Sequence, residues 1–283
     1  MTKTVEQVSK TKGKGKDKAM ARAGKGLRIK GMENKGGKNF KAKAKKAFSG
    51  FVNWMFPKDV TCDVCGGELV SKTRHNLCAG CLSSLTLVEK PCAVCGTEIF
   101  DEADYCIRCQ NTESRFLKNR APMLYEGGGA ALVLSLKYGG KKYIADTLAA
   151  FMADTYLKEN MASDLLVFVP MSKEDRKKRG FNQSELLAKS LGERLGLPVA
   201  EGLLKVRQTP LQKNLTAKER AENLSGAFLG VPHLVSKKNI LLADDVFTTG
   251  STANECAKML LRAGAESVSV LCAAVTRQKI LME

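Results

Sequence analysis

Between residues 62 and 109 the chain places eight cysteines in four Cys-x-x-Cys pairs: Cys62/Cys65, Cys78/Cys81, Cys92/Cys95 and Cys106/Cys109, with 12, 10 and 10 residues between pairs. Two thiolates spaced this way on a tight turn bind one metal together, and two such knuckles complete a tetrahedral zinc site. The segment also repeats itself. CDVCGGEL at 62–69 and CAVCGTEI at 92–99 match at a 30-residue offset, and each is followed by another pair. A duplicated unit argues that each copy is complete. The expected ligand sets are Cys62, Cys65, Cys78 and Cys81 for one zinc, and Cys92, Cys95, Cys106 and Cys109 for a second. Gly66 and Gly96 stand where each knuckle turns, a position suited to positive φ. Four thiolates leave no open coordination position, so the expected role is structural. Metal binding then supplies most of the folding energy of this segment, on the order of 10 kcal/mol per site. A disulfide framework and an iron–sulfur cluster compete for the same cysteines. The first needs an oxidising compartment, and nothing in the sequence directs export, so the expected location is cytoplasmic. His75 lies inside the first loop and reads as a bystander beside four thiolates. Cys256 and Cys272 fall in helical and strand patterns and read as small buried apolar residues.

The formal charge of +17 is concentrated at one end. Residues 1–58 hold 17 Lys and Arg against three acids, Glu6, Asp17 and Glu33, a formal +14. The other 225 residues carry 29 basic against 26 acidic side chains, only +3. Residues 1–46 alternate Lys with Gly and contain few apolar residues, too few to offset the entropy of ordering, and are expected to be disordered. Such an arm either adds salt-dependent affinity for nucleic acid or serves as a solubilising extension. In 47–57, Phe48, Phe51, Val52 and Met55 fit a short amphipathic helix ended by Pro57, a strap on the body or an anchor for a membrane or partner. No run of 18 uncharged apolar residues is present, so no transmembrane helix is expected.

Helical and strand patterns alternate from Arg120 onward. AALVLSLKYGGKKYIADTLAAFMADTYL reads as two helices broken at Gly139-Gly140, DLLVFVP as a buried strand, and NQSELLAKSLGERLGL as a helix capped by Asn182. NILLADD reads as a strand, STANECAKMLLRAGA as a helix and SVSVLCAAV as a strand. Apolar strands alternating with helices predict an α/β domain, a parallel sheet covered on both faces, over 120–283, preceded by the double ribbon over 58–112. In such sheets the ligand crevice lies beyond the carboxyl ends of the strands.

ILLADDVFTTGST, from Ile240 to Thr252, delivers two acids to that crevice and then turns into a helix. Backbone N–H groups at a helix start converge on an anion. Thr248, Thr249, Ser251 and Thr252 add hydroxyls, and Gly250 lets the backbone approach closely. An ordinary capped helix start is the alternative reading. The loop lacks G-x-x-x-x-G-K-[ST], which excludes an ordinary P-loop. Asp244 and Asp245 are unsuited to face a phosphate, but they accept hydrogen bonds from vicinal hydroxyls. A ligand with a phosphate at one end and a diol a short reach away, such as ribose 5-phosphate, satisfies both.

ILLADDVFTTGST resembles the phosphoribosyl pyrophosphate (PRPP) motif of type I phosphoribosyltransferases. RGFNQSELLA at 179–188, RQTPLQKNLTAKERAENLSGAF at 207–228, the acid motif and the preceding ribbons together resemble the competence protein F (ComF) family over roughly 57–276. The chain departs from the family pattern at Phe168, where many relatives have proline, and at Ala243, where a larger aliphatic is also common. The resemblance implies a type I phosphoribosyltransferase fold, PRPP bound with Mg²⁺, and a role in DNA uptake and natural transformation. It further implies that Asp244 and Asp245 take the ribose diol and that Thr248, Thr249, Gly250, Ser251 and Thr252 take the 5′-phosphate. The loop from Pro170 to Lys173 would meet the pyrophosphate, with Arg176, Lys177, Lys178 and above all Arg179 beside it, and Lys137 is a weaker phosphate candidate. Residues 207–220 would form a flap, with Arg207, Gln212 and Arg220 as candidates. If active, the chain is a phosphoribosyltransferase, a glycosyl-transferring enzyme. Otherwise it is a single-stranded-DNA-binding competence protein with a vestigial or sensory PRPP site. Its implied partners are PRPP, single-stranded DNA held by the basic tail and ribbons, and other competence proteins.

Overall fold

The computed structural model describes residues 61–71, 73–100, 102–207 and 223–277. The expected tail, the 47–57 helix and the candidates Gln212 and Arg220 lie outside the described residues. The described residues from 61 onward belong to one compact unit.

The two ribbons are built alike because their sequences repeat. In the first, Cys62 N–H donates to Gly67 O and Gly66 N–H to Cys62 O. In the second, Cys92 N–H donates to Thr97 O and Gly96 N–H to Cys92 O. Single antiparallel bridges, Thr61 to Glu68 and Pro91 to Glu98, close the two knuckles. Gly66 and Gly96 both take positive φ, 73° and 68°. At Gly96 a side chain would also place its Cβ 2.4 Å from Asn119 O, so glycine is required twice over. The third cysteine of each set starts a short helix: Cys78 precedes α1, Ala79–Ser83, and Cys106 precedes α2, Ile107–Asn111.

The body follows with β1 (Asn119–Arg120), β2 (Met123–Leu124), α3 (Gly127–Tyr138), α4 (Ile144–Lys158) and β3 (Leu165–Phe168). Next come α5 (Lys173–Arg179), α6 (Gln183–Leu195), β4 (Val199–Ala200), β5 (Leu203–Lys205), β6 (Phe228–Gly230) and α7 (Pro232–Val235). The described chain ends with β7 (Asn239–Phe247), α8 (Ser251–Arg262) and β8 (Ser267–Val275). The main sheet runs β1-β8-β7-β3-β4, with β2 also on β8, and every pairing is parallel. β5 and β6 form a separate antiparallel pair. The expected α/β architecture of a parallel, helix-flanked sheet is present.

Period-two alternation on β7 and β8 splits the interior into two cores. Leu241, Ala243, Leu271 and Ala273 face one way, with α3, α4 and α6. Ile240, Leu242, Val268, Val270 and Cys272 face the other, with α8 and the β5–β6 pair. The ribbons share these cores, one on each face. Cys62, Leu77 and Leu85 enter the first core, and Cys92, Cys95, Ile99, Cys106 and Phe116 the second. Leu77 alone, 1% exposed, contributes roughly 2 kcal/mol by burial.

Two features differ from the sequence expectation. The basic stretch after β3 is helical rather than a loop: Ser172 caps α5 by accepting from Asp175 N–H, and Gly180 ends it at φ 85°. Strands β1, β2, β4, β5 and β6 are two or three residues long, too short to show a period.

Candidate functional site

β7 is longer than its neighbour on one side. Its register with β3 ends at Phe168↔Ala243, whereas its register with β8 continues to Phe247↔Val275. Asp244 and Asp245 follow that last β3 partner, so on the β3 side the strand carries both acids past the end of the sheet. This is the crevice expected of a parallel sheet, although the strand continues two residues beyond the acids.

The first turn of α6 fixes the pair. Asn182 caps that helix, accepting from Ser184 N–H at 3.1 Å and donating from Nδ2 to Val169 O at 3.0 Å. This frees the next two side chains to cross to β7. Ser184 Oγ donates to Asp244 Oδ1 at 2.8 Å, and Gln183 Nε2 donates to Asp245 Oδ2 at 3.2 Å. Asp245 N–H also donates to Asp244 Oδ1, at 2.9 Å. Lys137, in the last turn of α3, places Nζ 2.9 Å from Asp245 Oδ1. Gln183 is buried, yet among the described residues its Oε1 has no hydrogen-bond partner.

Burial, and then the Asp245 charge beside it, push the Asp244 carboxyl up to about 7. Burial works against the Lys137 ammonium, but Asp245 and Asp244 outweigh it and raise its pKa. A carboxyl raised this way is one that a nearby cation or hydroxyl donor would help to ionise.

Beyond the acids, Gly250 takes φ 81° and stands as the N-cap of α8, with no side-chain cap bond and no acid in the first turn. That contrasts with α5 and α6, which are both side-chain capped. A Cβ at Gly250 would lie 2.7 Å from the Phe247 ring, so the loop folds tightly on that ring. Thr249 Oγ1 and Ser251 Oγ lie 3.0 Å apart, and Thr248 is exposed. Ser251 N–H donates to Thr249 Oγ1 in a long contact of 3.5 Å; helix-start amides beside two hydroxyls are a setting that favours an anion by ordinary electrostatics.

Other expected residues are placed differently. Lys137 pairs with Asp245. Arg176 pairs with Glu185 at 3.0 Å. Arg179 lies over the Tyr138 ring at 5.2 Å, which brings the end of α5 against the end of α3 near Lys137. Arg207 donates to Asn223 O and Ser225 O at 2.7 and 2.8 Å. Gln183 and Ser184 escaped the residue-level reading, which took only Asn182 for a cap. Their signal was the polar run NQS at a helix start, one polar side chain more than a cap needs.

The thiols form two groups. Within each of the sets Cys62, Cys65, Cys78, Cys81 and Cys92, Cys95, Cys106, Cys109, all sulfurs lie within 4.8 Å of one another. A tetrahedron with Zn–S of about 2.3 Å has edges of about 3.8 Å. Cys65 and Cys78 sulfurs are 3.9 Å apart, and Cys95 and Cys106 sulfurs 3.5 Å. Backbone N–H groups of Gly67, Cys81 and Cys106 point at Cys65, Cys78 and Cys92 sulfurs at 3.4 Å, as thiolates require. Contacts with Cys109 and Cys95 hold the Cys92 thiol well below its ordinary value, and Cys92 and Cys95 drive Cys109 well above it. Four thiolates so crowded coexist only around a cation, and the donor set fits zinc. The second set is more buried than the first. His75 is no ligand: it stacks on Phe151 at 3.8 Å, and Nε2 meets Asp154 at 2.9 Å. Cys256 and Cys272 are fully buried, and burial raises both thiols well above their usual range. Among the described residues no helix is long and apolar enough to cross a membrane.

Residues 51–110 match the family model of the double zinc ribbon domain. The chain is 31% identical to competence protein F of Haemophilus influenzae over 224 residues, covering 74% of this chain and 94% of that protein. It is 32% identical to the DNA utilization protein YhgH of Salmonella typhimurium over 207 residues, covering 71% of this chain and 90% of that protein. Among solved structures it is similar to glutamine PRPP amidotransferase from B. subtilis, with 22% identity and a TM-score of 0.32, over 47% of this chain and 26% of that one. With 31% and 32% identity along 94% and 90% of the length of these relatives, and two cysteine tetrads preceding a helix-flanked parallel sheet, the chain belongs to the competence protein F (ComF) family.

Proposed function

We propose that the chain binds PRPP in the crevice at the end of β7 and serves in the handling of DNA during uptake. One observation carries the first part. An acid pair steadied by α6 and Lys137 stands directly before a helix start whose N-cap is glycine and whose first amide meets only the Thr249 hydroxyl, at 3.5 Å. The 5′-phosphate takes the amides and hydroxyls of Thr248, Thr249, Gly250, Ser251 and Thr252. Asp244 and Asp245 accept from the ribose 2′- and 3′-hydroxyls. The raised pKa of Asp244 fits a site completed by a cation, and the acids with the ligand's own oxygens are the groups that would hold Mg²⁺. When bound, Mg²⁺ neutralises charge on the departing pyrophosphate. Arg179, over the Tyr138 ring next to Lys137, is a cation that the chain would offer at that end of the crevice. Positioning and charge stabilisation would then carry phosphoribosyl transfer to an acceptor nucleophile.

The second part rests on the names of the relatives, competence protein F and DNA utilization protein, and on the +14 carried by residues 1–58. A basic arm supplies sequence-independent, salt-sensitive affinity for a phosphodiester backbone. The cytoplasm, where thiols stay reduced, suits the cysteine tetrads.

Calorimetric titration of the full chain with PRPP and Mg²⁺ tests the site. Saturable binding that Asp244→Asn weakens supports it, and unchanged affinity removes the assigned role. Pyrophosphate release that depends on the same acids distinguishes transfer from sensing. Single-stranded-DNA affinity that survives deletion of residues 1–46 would refute the arm as the binding element.

A further inference from the structure

The second ribbon lies under the anion loop. Arg108 sits between Cys106 and Cys109 on α2, and its Nη1 donates to Thr248 O at 3.2 Å. Its guanidinium is 5.9 Å from the centre of the Phe247 ring, the ring on which Gly250 folds. Phe116, just past the ribbon, meets the same ring edge-on at 5.9 Å. Arg115 N–H donates to Asn254 Oδ1 in the first turn of α8 at 2.7 Å. A small cleft between the two parts has Cys95 and Cys109 on one side and Thr249, Gly250 and Asn254 on the other.

Among the described residues the first ribbon makes no comparable link. It packs on the opposite face of the sheet, where Arg74 and His75 pair with Asp154 of α4. The two tetrads, near-copies in sequence, are therefore unlike in what they touch.

We propose that the second cysteine tetrad positions the anion loop through Arg108, so that metal in that tetrad, and not in the first, raises the affinity of residues 248–252 for a phosphate monoester. Arg108 is a positioning residue: it binds the loop's backbone from below, and four metal-bound thiolates hold its helix and its charge in place. The proposal deepens the PRPP reading and rests on it only for the identity of the ligand. Coupling of this kind is reciprocal, so phosphate on the loop also tightens metal in the second tetrad by the same factor.

The test uses the full zinc-loaded chain with Arg108→Gln, Arg108→Lys and, as the matching change on the first ribbon, Arg74→Gln, compared at equal zinc content. Amide hydrogen exchange of a peptide spanning 247–254 is read without ligand, and PRPP–Mg²⁺ affinity is read by calorimetry. Arg108→Gln speeds exchange in 248–252 and weakens PRPP about tenfold. Arg108→Lys recovers part of both, and Arg74→Gln leaves both unchanged. Unaltered exchange in Arg108→Gln, or an equal change in Arg74→Gln, overturns the proposal. A wild-type chain that does not bind PRPP defeats the ligand assignment alone, because the exchange comparison still decides the coupling.

Discussion

Replacing Asp245 by Asn separates what the acid does for the fold from what it does for a ligand. In the free protein Asp245 is paired with Lys137 at 2.9 Å, with side-chain exposures of 12% and 19%. Breaking a fully buried pair costs 3–5 kcal/mol, and partial solvent access here brings the expected loss to about 2 kcal/mol. The substituted amide retains an oxygen for Gln183 Nε2, so the first turn of α6 stays in place. The loss therefore comes from the stranded ammonium, and adding Lys137→Met restores most of it. Ligand binding behaves differently. A hydrogen bond to a carboxylate is worth about 2 kcal/mol more than none, near thirtyfold in Kd, and the second substitution does not return it. The assays are urea unfolding and PRPP–Mg²⁺ calorimetry on both single variants and the double variant. The reasoning is refuted if the double variant regains affinity along with stability, or if Asp245→Asn alone binds as the wild type does.

Further expectations follow from the same geometry. Gly250→Ala meets both a left-handed backbone and the Phe247 ring, and should cost about 2 kcal/mol in thermal or urea unfolding; a neutral effect would show that the loop relaxes freely. The Asp244 carboxyl is raised in the folded state, from 3.8 to about 7, so the folded chain binds more protons than the unfolded chain between those values. Its contribution to stability is full below about pH 4 and is lost as pH rises toward 7, so Asp244→Asn should flatten that part of the stability profile; parallel profiles for variant and wild type would contradict this. Elemental analysis should find about two zincs per chain, and about one after Cys62→Ser or Cys92→Ser; loss of both from either variant would show a shared site. His75→Ala removes the stack on Phe151 and the pairing with Asp154, and should lower stability by about 1 kcal/mol without changing zinc content.

Much of this architecture was legible because its signals are local. The acid pair, the hydroxyl-rich turn and the helix after it occupy 13 consecutive residues, Ile240–Thr252, and strand period and turn chemistry suffice to place them. The cysteine grouping was legible from the 30-residue repeat. What escaped depends on contacts distant in sequence. Lys137 reads as a phosphate ligand until the fold sets it against Asp245, far along the chain. Gln183 and Ser184 read as helix-start residues until α6 crosses β7. Arg108 gave no signal, because an arginine inside a knuckle means nothing until the ribbon lies under Thr248. The same holds for the ribbons themselves: a repeat suggests two equal modules, and the parallel sheet between them makes one a neighbour of α4 and the other a neighbour of the anion loop.

The most direct measurement is a crystal of the full chain soaked with PRPP and Mg²⁺. Density for a monophosphate on the amides of residues 249–252, with both ribose hydroxyls on Asp244 and Asp245, is the predicted result. An empty loop, or a ligand elsewhere while Asp245 still holds Lys137 and neither acid meets a hydroxyl, would contradict it.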